Sequence, residues 1–142
     1  MSGAAAEPAL TLALLPETFT ILKFPAGADV PAWSSSGRIW LMSRTLEEMT
    51  VVAEASAVPA EASADLTDAW RCLRISEVFD FSVPGILASV LAPLAGAGVG
   101  IFAASTYSTD YVWIRAADVP AALSALTAAG HRVHQDAPVD IR

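Results

Sequence analysis

The sequence predicts an α+β fold of two tandem units with the element order βαββαβ, the first degenerate, in which helices cover one face of antiparallel sheets. Three observations predict this fold. Strand-like segments alternate with two helix-like segments after residue 69, a weak repeat relates the two halves, and the Ala-rich stretch 58–68 separates them. We therefore expect an N-terminal unit at 9–60 and a C-terminal unit at 69–136.

The C-terminal half begins with a predicted strand and a predicted helix. Residues 70–76 have the pattern of a strand, and Val83-Pro84-Gly85 opens the helix. Pro93 should kink or tighten this helix, and Gly96 and Gly98 should end it. The helix is predicted from apolar residues that recur at helical spacing: Ile86, Leu87, Val90, Leu91 and Leu94.

The rest of this half completes a ferredoxin-like order. Strands are predicted at 99–104 and 111–115, on either side of a polar tip. A second helix follows, with Asp118 as its N-cap and Gly130 as its C-terminal stop. A short strand at 131–134 then gives the order βαββαβ, in which two helices cover a four-stranded sheet.

The N-terminal half is predicted to repeat this unit in reduced form. Segments 10–14 and 18–24 predict a hairpin that turns at Pro16 and Glu17. Segments 38–43 and 48–53 predict two further strands. Residues 39–52 align with 101–114 at an offset of 62, so both stretches are expected to form strand, polar tip and strand. Because this half has lost most of its first helix, we expect it to pack against the C-terminal half in order to bury its apolar residues.

Composition excludes several classes of partner. The chain has 142 residues, of which 54% are hydrophobic and 16% are charged, so it has enough apolar surface for a folded core. The net charge is -7 and no basic cluster with interleaved aromatics occurs, so nucleic acid is not an expected partner. No apolar run reaches roughly 18 residues, and residues 1–9 lack the pattern of a signal peptide, so no membrane partner and a cytoplasmic location are expected.

The motifs of the C-terminal half carry a family resemblance. Residues 70–134 resemble an ACT domain, and the stretch SVLAPLAGAGVGIFAASTYSTDYVWIR within them is similar to bacterial two-ACT proteins related to the CASTOR amino-acid sensors. The resembling parts are the APLA helix at 92–95, the strand at 99–101 and the STY-x-TD hairpin at 105–110. The resemblance implies a non-catalytic regulatory protein, a homodimer without a cofactor, which binds an amino acid or similar small metabolite where two ACT copies meet. It leaves the regulated protein unidentified.

The resemblance also implies a set of ligand-binding residues. They belong to the loop after the first strand, the start of the second strand, and the hairpin of the partner ACT copy, and they are Asp80, Ser82, Val83, Gly85, Ile86, Gly100, Ile101, Thr106, Tyr107 and Asp110. Relatives that sense arginine place an acidic residue where this chain has Val83. The resemblance therefore does not imply a copy of the arginine pocket.

The chemistry of a free amino acid supports the same assignment. Its carboxylate suits the backbone N–H groups of a helix start, here 82–86, and its ammonium suits a carboxylate such as that of Asp110. Gly85 and Gly100 would let a ligand approach the backbone closely. The alternative is a purely structural role for these residues. Asp110 would then hydrogen-bond to the backbone of its own hairpin turn, and 82–85 would form an ordinary strand-to-helix turn.

Other functions remain as alternatives at this stage. A ligand-free protein–protein interaction module would use the same dimeric fold, and packing of the four tryptophans favours association between chains. Catalysis by Asp110 and a tyrosine is disfavoured because His, Lys and Glu are scarce near the hairpin. A metal is not expected, since His131 and His134 lie three apart in a strand and face opposite sides. Cys72 is expected to be a small buried residue.

Overall fold

The computed structural model describes residues 8–62, 69–79 and 82–136. This part of the chain contains one sheet of seven strands and two α-helices. Single 3-10 turns lie at Ala32–Ser35, Ala55–Ala57, Ala60–Ala62 and Ala116–Asp118. In chain order the main elements are β1 (Thr11–Pro25), β2 (Leu41–Arg44), β3 (Glu48–Glu54), β4 (Trp70–Ile75), α1 (Ile86–Gly96), β5 (Ile101–Ser105), β6 (Asp110–Arg115), α2 (Val119–Ala128) and β7 (Arg132–Gln135).

Strand β1 organises the sheet. The strand order is β2-β3-β1-β4-β6-β5, and β7 pairs in parallel with the first part of β1. Residues 11–14 of β1 therefore lie between β7 and β4, whereas residues 19–25 pair with β3. The two halves of the chain thus share one hydrogen-bonded sheet.

The predicted hairpin at 10–24 is wrong, because these residues form the single strand β1. Pro16 falls where the register with β4 shifts between Leu14 and Thr18, which is where a strand tolerates a residue without an N–H. At this irregularity the carbonyl of Leu15 accepts hydrogen bonds from Nε and Nη2 of Arg71, at 3.2 and 2.8 Å. The guanidinium therefore satisfies a backbone group at the bulge, and the strand continues.

The prediction of two tandem ferredoxin-like units, the first of them degenerate, is not confirmed. The described part of the N-terminal half supplies three strands and no α-helix, whereas the C-terminal half has the predicted order βαββαβ. The last strand of that order, β7, pairs with β1 and not with β4. Because three strands without helices cannot cover both of their faces, the N-terminal half buries itself by joining the C-terminal sheet.

The aligned segments of the repeat both form antiparallel hairpins, although their pairing registers differ by two residues. Strands β2 and β3 pair in antiparallel fashion with Ser43 opposite Thr50, and β5 and β6 pair with Ser105 opposite Asp110. The two hairpins lie at opposite ends of the six-strand path. The weak repeat in sequence therefore corresponds to a repeated piece of the sheet.

The core has a helix side and an open-sheet side. On the helix side, α1 and α2 place Val90, Leu94 and Leu126 over apolar residues of β1, β4 and β6. On the other side, Trp113 is fully buried, with edge-on contacts to Phe19 and Phe102 at centroid distances of 6.0 and 5.9 Å. A third cluster, centred on the β3 residues Met49, Val51 and Ala53, packs against Trp33.

The ends of the two helices largely follow the prediction. Asp118 occupies the N-cap position of α2, but its side chain makes no capping hydrogen bond. Gly130 follows that helix with a φ of 95°, in the left-handed region that favours glycine. None of the helices within the described ranges has the length and apolar character needed to cross a lipid bilayer.

Candidate functional site

A cleft of about 280 Å³ lies beside the N-terminal end of α1. Because β4 and β6 are antiparallel, with Arg74 opposite Tyr111, the start of β6 lies beside the end of β4. The β5–β6 turn therefore faces the loop that leads from β4 into α1. The helix wall is formed by Phe79, Val83, Gly85, Ile86, Leu87 and Ala88, and the hairpin wall by Ser105, Thr106, Tyr107, Ser108, Thr109 and Asp110.

The helix wall offers backbone donors. Gly85 is the N-cap of α1 with a φ of 82°, and its carbonyl accepts the N–H of Ser89 at 3.0 Å, which is the first bond of the helix. The N–H groups of the first turn have no acceptor within the helix, and the helix dipole makes this end favourable for an anion. A Cβ at Gly85 would meet nothing within 4 Å, so backbone conformation and not space requires glycine here.

Backbone and side-chain hydrogen bonds hold the hairpin wall in place. The N–H of Thr106 donates to the carbonyl of Thr109 at 2.8 Å, which closes the turn. The one hydroxyl hydrogen of Thr109 is shared between the carbonyls of Ile75 and Glu77, whose oxygens lie 2.8 and 3.2 Å from its Oγ1. The tip of the hairpin is therefore tied to the end of β4, and the two walls of the cleft are held relative to one another.

Asp110 supplies the charge of the cleft. It is the only charged residue among the described residues that line this space. Its Oδ1 accepts a hydrogen bond from the hydroxyl of Ser105, directly across the hairpin. The alternative of an aspartate bonded to its own turn backbone is not what this geometry shows, because the hydroxyl of Thr106 fills that role.

The structure brings together six of the ten predicted site residues. Gly100 and Ile101 do not line the cleft, because they lie at the opposite end of the β5–β6 hairpin, where Ile101 pairs with Ile114. Ser82 is exposed and is not a lining residue, and Asp80 lies outside the described residues. The six that line the cleft are Val83, Gly85, Ile86, Thr106, Tyr107 and Asp110.

Both walls of this cleft come from the same chain. The contribution of a partner copy's hairpin stays a prediction. The sequence prediction omitted Phe79, Leu87 and Thr109, which line the same space. Helical spacing could have placed Leu87 in the first turn of α1, but nothing in the sequence signalled the bonds of Thr109 to the end of β4.

Apolar side chains are exposed around this cleft. Tyr107 is 85% exposed and Val83 is 43% exposed, and both line the cleft, while Val78 in the same loop is 73% exposed. A second, smaller groove of about 160 Å³ lies between the edge strands β2 and β5 and is lined by uncharged residues such as Met42 and Phe102. Both features add apolar surface that is accessible in the single chain.

The cysteine and the buried histidine among the described residues contribute to packing and to backbone hydrogen bonding. Cys72 is fully buried and burial raises the pKa of its thiol, so the thiolate needed for nucleophilic attack is suppressed. His131 is buried, and both of its ring nitrogens make hydrogen bonds to the backbone. Its Nδ1 accepts a hydrogen bond from the N–H of Leu10, and its Nε2 lies within hydrogen-bond distance of the carbonyl of Ser89. Residues 8–62, 69–79 and 82–136 contain no group of three side chains that could hold a metal ion.

These features define a domain with a two-helix sheet and a small cleft at the start of its first helix. Residues 65–128 match the family model of the ACT domain, so the C-terminal half of the chain is similar to an ACT domain. That segment contains all the described residues that line the cleft, from the end of β4 to the hairpin.

Solved structures share the fold over most of the chain. A protein of Agrobacterium tumefaciens, a structural genomics target, has 28% identity and a TM-score of 0.83, over 95% of this chain and 99% of that one. A Vibrio cholerae protein, described as of unknown function and a possible transport protein, has 17% identity and a TM-score of 0.70, over 85% and 89%. The regulatory subunit of aspartate kinase from Thermus flavus has 18% identity and a TM-score of 0.53, over 88% and 99%.

Proposed function

We propose that the protein is a non-catalytic regulatory module that binds a free amino acid, or a similar small metabolite, in the cleft. One observation carries the proposal: the N-terminal end of α1 and the carboxylate of Asp110 border the same small space. The first suits the ligand's carboxylate and the second its ammonium, so the cleft has the charge pattern that a zwitterion needs.

The size and setting of the cleft support this ligand class. Its volume of about 280 Å³ lies just below the range of roughly 300–1,000 Å³ typical of pockets for drug-sized ligands, which favours a single small metabolite. A phosphate group would place its negative charge near Asp110 without a cation among the described lining residues. The regulatory subunit of aspartate kinase that shares the fold supports a regulatory role.

A thermal-shift screen of the purified protein against the twenty amino acids tests the proposal. A ligand at 100 times its Kd should stabilise the folded state by about 2.7 kcal/mol and raise the Tm by several degrees. Asp110→Ala should remove most of the shift, whereas Asp29→Ala, at an exposed position outside the cleft, should keep it. A flat screen, with a known binding protein as the working control, would count against amino-acid binding.

The exposed apolar residues near the cleft favour association of two chains as part of this function. Tyr107 and Val78 expose 85% and 73% of their surfaces, and a second copy would shield them. Ligand binding near such an interface would be linked to dimerisation, and through it to a regulated protein. Light scattering with and without ligand measures the mass, and an unchanged monomer would contradict this part of the proposal.

A ligand-free interaction module is the second candidate, and the same exposed residues favour it. In that case the protein would dimerise, give a flat ligand screen, and lose dimerisation on Tyr107→Ser. The narrower resemblance to the CASTOR sensors and the cytoplasmic location stay predictions from the sequence.

A further inference from the structure

We infer that the cleft selects amino acids with an uncharged, mainly apolar side chain. The inference rests on the proposed function and deepens it by naming the ligand class. Its basis is the distribution of charge and apolar surface over the two walls of the cleft.

The charge balance of the lining favours a neutral side chain. Asp110 is the only charged residue among the described lining residues, and a free amino acid already carries an ammonium to pair with it. The backbone N–H groups at the N-terminal end of α1 would bind the ligand's carboxylate. A zwitterion with a neutral side chain therefore leaves no charge without a counterpart, and burial of an unpaired charge is costly.

A charged side chain on the ligand has no counterpart among the lining residues that the structure describes. The carboxylate of an aspartate or glutamate ligand would approach Asp110, and no Lys or Arg lies in the described lining to offset the repulsion. The cation of a lysine or arginine ligand would compete with its own ammonium for the single carboxylate. Both classes should bind more weakly than a neutral amino acid.

Apolar side chains form a prepared surface on the helix wall. Phe79 and Leu87 are half-buried and pack against the core beneath α1, so their positions are supported from below. Val83 lies on the same wall and is 43% exposed. A ligand methyl or isopropyl group that lies against this wall would extend the apolar contact and displace water. The small volume of the cleft then suits valine, isoleucine, leucine or threonine.

Isothermal titration calorimetry of the full-length protein tests the selection. L-valine, L-isoleucine, L-leucine and L-threonine are compared with L-arginine, L-lysine, L-aspartate and L-glutamate at one pH and one salt concentration. At least one neutral ligand should bind about tenfold more tightly, or better, than every charged one. A charged amino acid that equals the best neutral ligand overturns this inference and leaves the proposed function standing, whereas no binding by any amino acid overturns both.

A charge placed on the apolar wall provides a second test. Val83→Asp adds a carboxylate at an exposed lining position, so affinity for L-arginine should rise relative to that for the best neutral ligand. Val30→Asp is the matched control, because Val30 is 47% exposed and lies outside the cleft lining. If the ratio of the two affinities stays the same in Val83→Asp, the assigned role of this wall is wrong.

Discussion

Single residues hold the loop before β2 in one conformation. Gly37 has a φ of 96°, and a Cβ there would overlap Oε2 of Glu54. That buried carboxylate accepts the N–H groups of Arg38 and Ile39, the second at 3.3 Å, so it replaces the backbone partners that the loop lacks. The glycine and the glutamate are therefore coupled, since the carboxylate can lie close to the loop only when residue 37 has no side chain.

Gly37→Ala should lower the free energy of unfolding by about 1–3 kcal/mol, because it adds left-handed strain and displaces the carboxylate of Glu54. Urea denaturation measures the change. Gly27→Ala is the matched control, since a Cβ at Gly27 would meet nothing within 4 Å and its φ is not in the left-handed region. Equal losses in the two variants would contradict the role given to Glu54.

His131 joins the start of β1 to helix α1. Its Nδ1 accepts the N–H of Leu10 at 3.0 Å, so its Nε2 carries the hydrogen that is donated to the carbonyl of Ser89 at 2.8 Å. His131→Leu would leave both backbone groups buried without this partner and should cost about 1–3 kcal/mol of stability for each unsatisfied group. His134→Leu, at a position with a half-exposed side chain, should cost much less in the same urea titration.

At the scale of elements, the cleft depends on how the β5–β6 hairpin is tied to β4. The hydroxyl of Thr109 reaches the carbonyls of Ile75 and Glu77, which share its one hydrogen. Thr109→Val keeps the shape of the side chain and removes this shared hydrogen bond, so stability should fall by about 0.5–1.5 kcal/mol. Hydrogen exchange of the hairpin amides should also become faster.

Thr127→Val on the exposed face of α2 is the control for this element. It should leave exchange at the hairpin unchanged. A hairpin that exchanges equally slowly in Thr109→Val would mean that the sheet alone holds the wall of the cleft in place.

At the scale of the whole molecule, an ion cluster joins the two halves. Asp136, just after β7, accepts from Arg38 at 2.9 Å and lies 3.3 Å from Nη2 of Arg74 on β4. The hydrogen bond from Arg38 is the main cause that lowers the pKa of the Asp136 carboxyl, and the charge of Arg74 adds to it. These contacts fasten the loop before β2, strand β4 and the end of β7 together.

The lowered pKa gives a pH dependence of stability. A carboxyl with a lower pKa in the folded state stabilises the protein above its unfolded pKa of about 3.9, and this contribution is lost as pH falls through the folded value. Asp136→Asn should therefore destabilise the protein at pH 7 and approach the parent protein at strongly acidic pH. Urea midpoints at a series of pH values measure this convergence, and a difference that does not depend on pH would contradict it.

The sequence by itself determined the order and type of the C-terminal elements, because helical spacing from Ile86 and the glycine stops are local signals. It also pointed to half of the described lining of the cleft, including Val83, Gly85 and Asp110. Only the tertiary structure decided that 11–25 is one strand, whose first part lies between β4 and β7 and whose second part pairs with β3, since pairing over long sequence distances depends on which surfaces bury each other. For the same reason, only the tertiary structure separated Gly100 and Ile101 from the cleft and brought Thr109 into it.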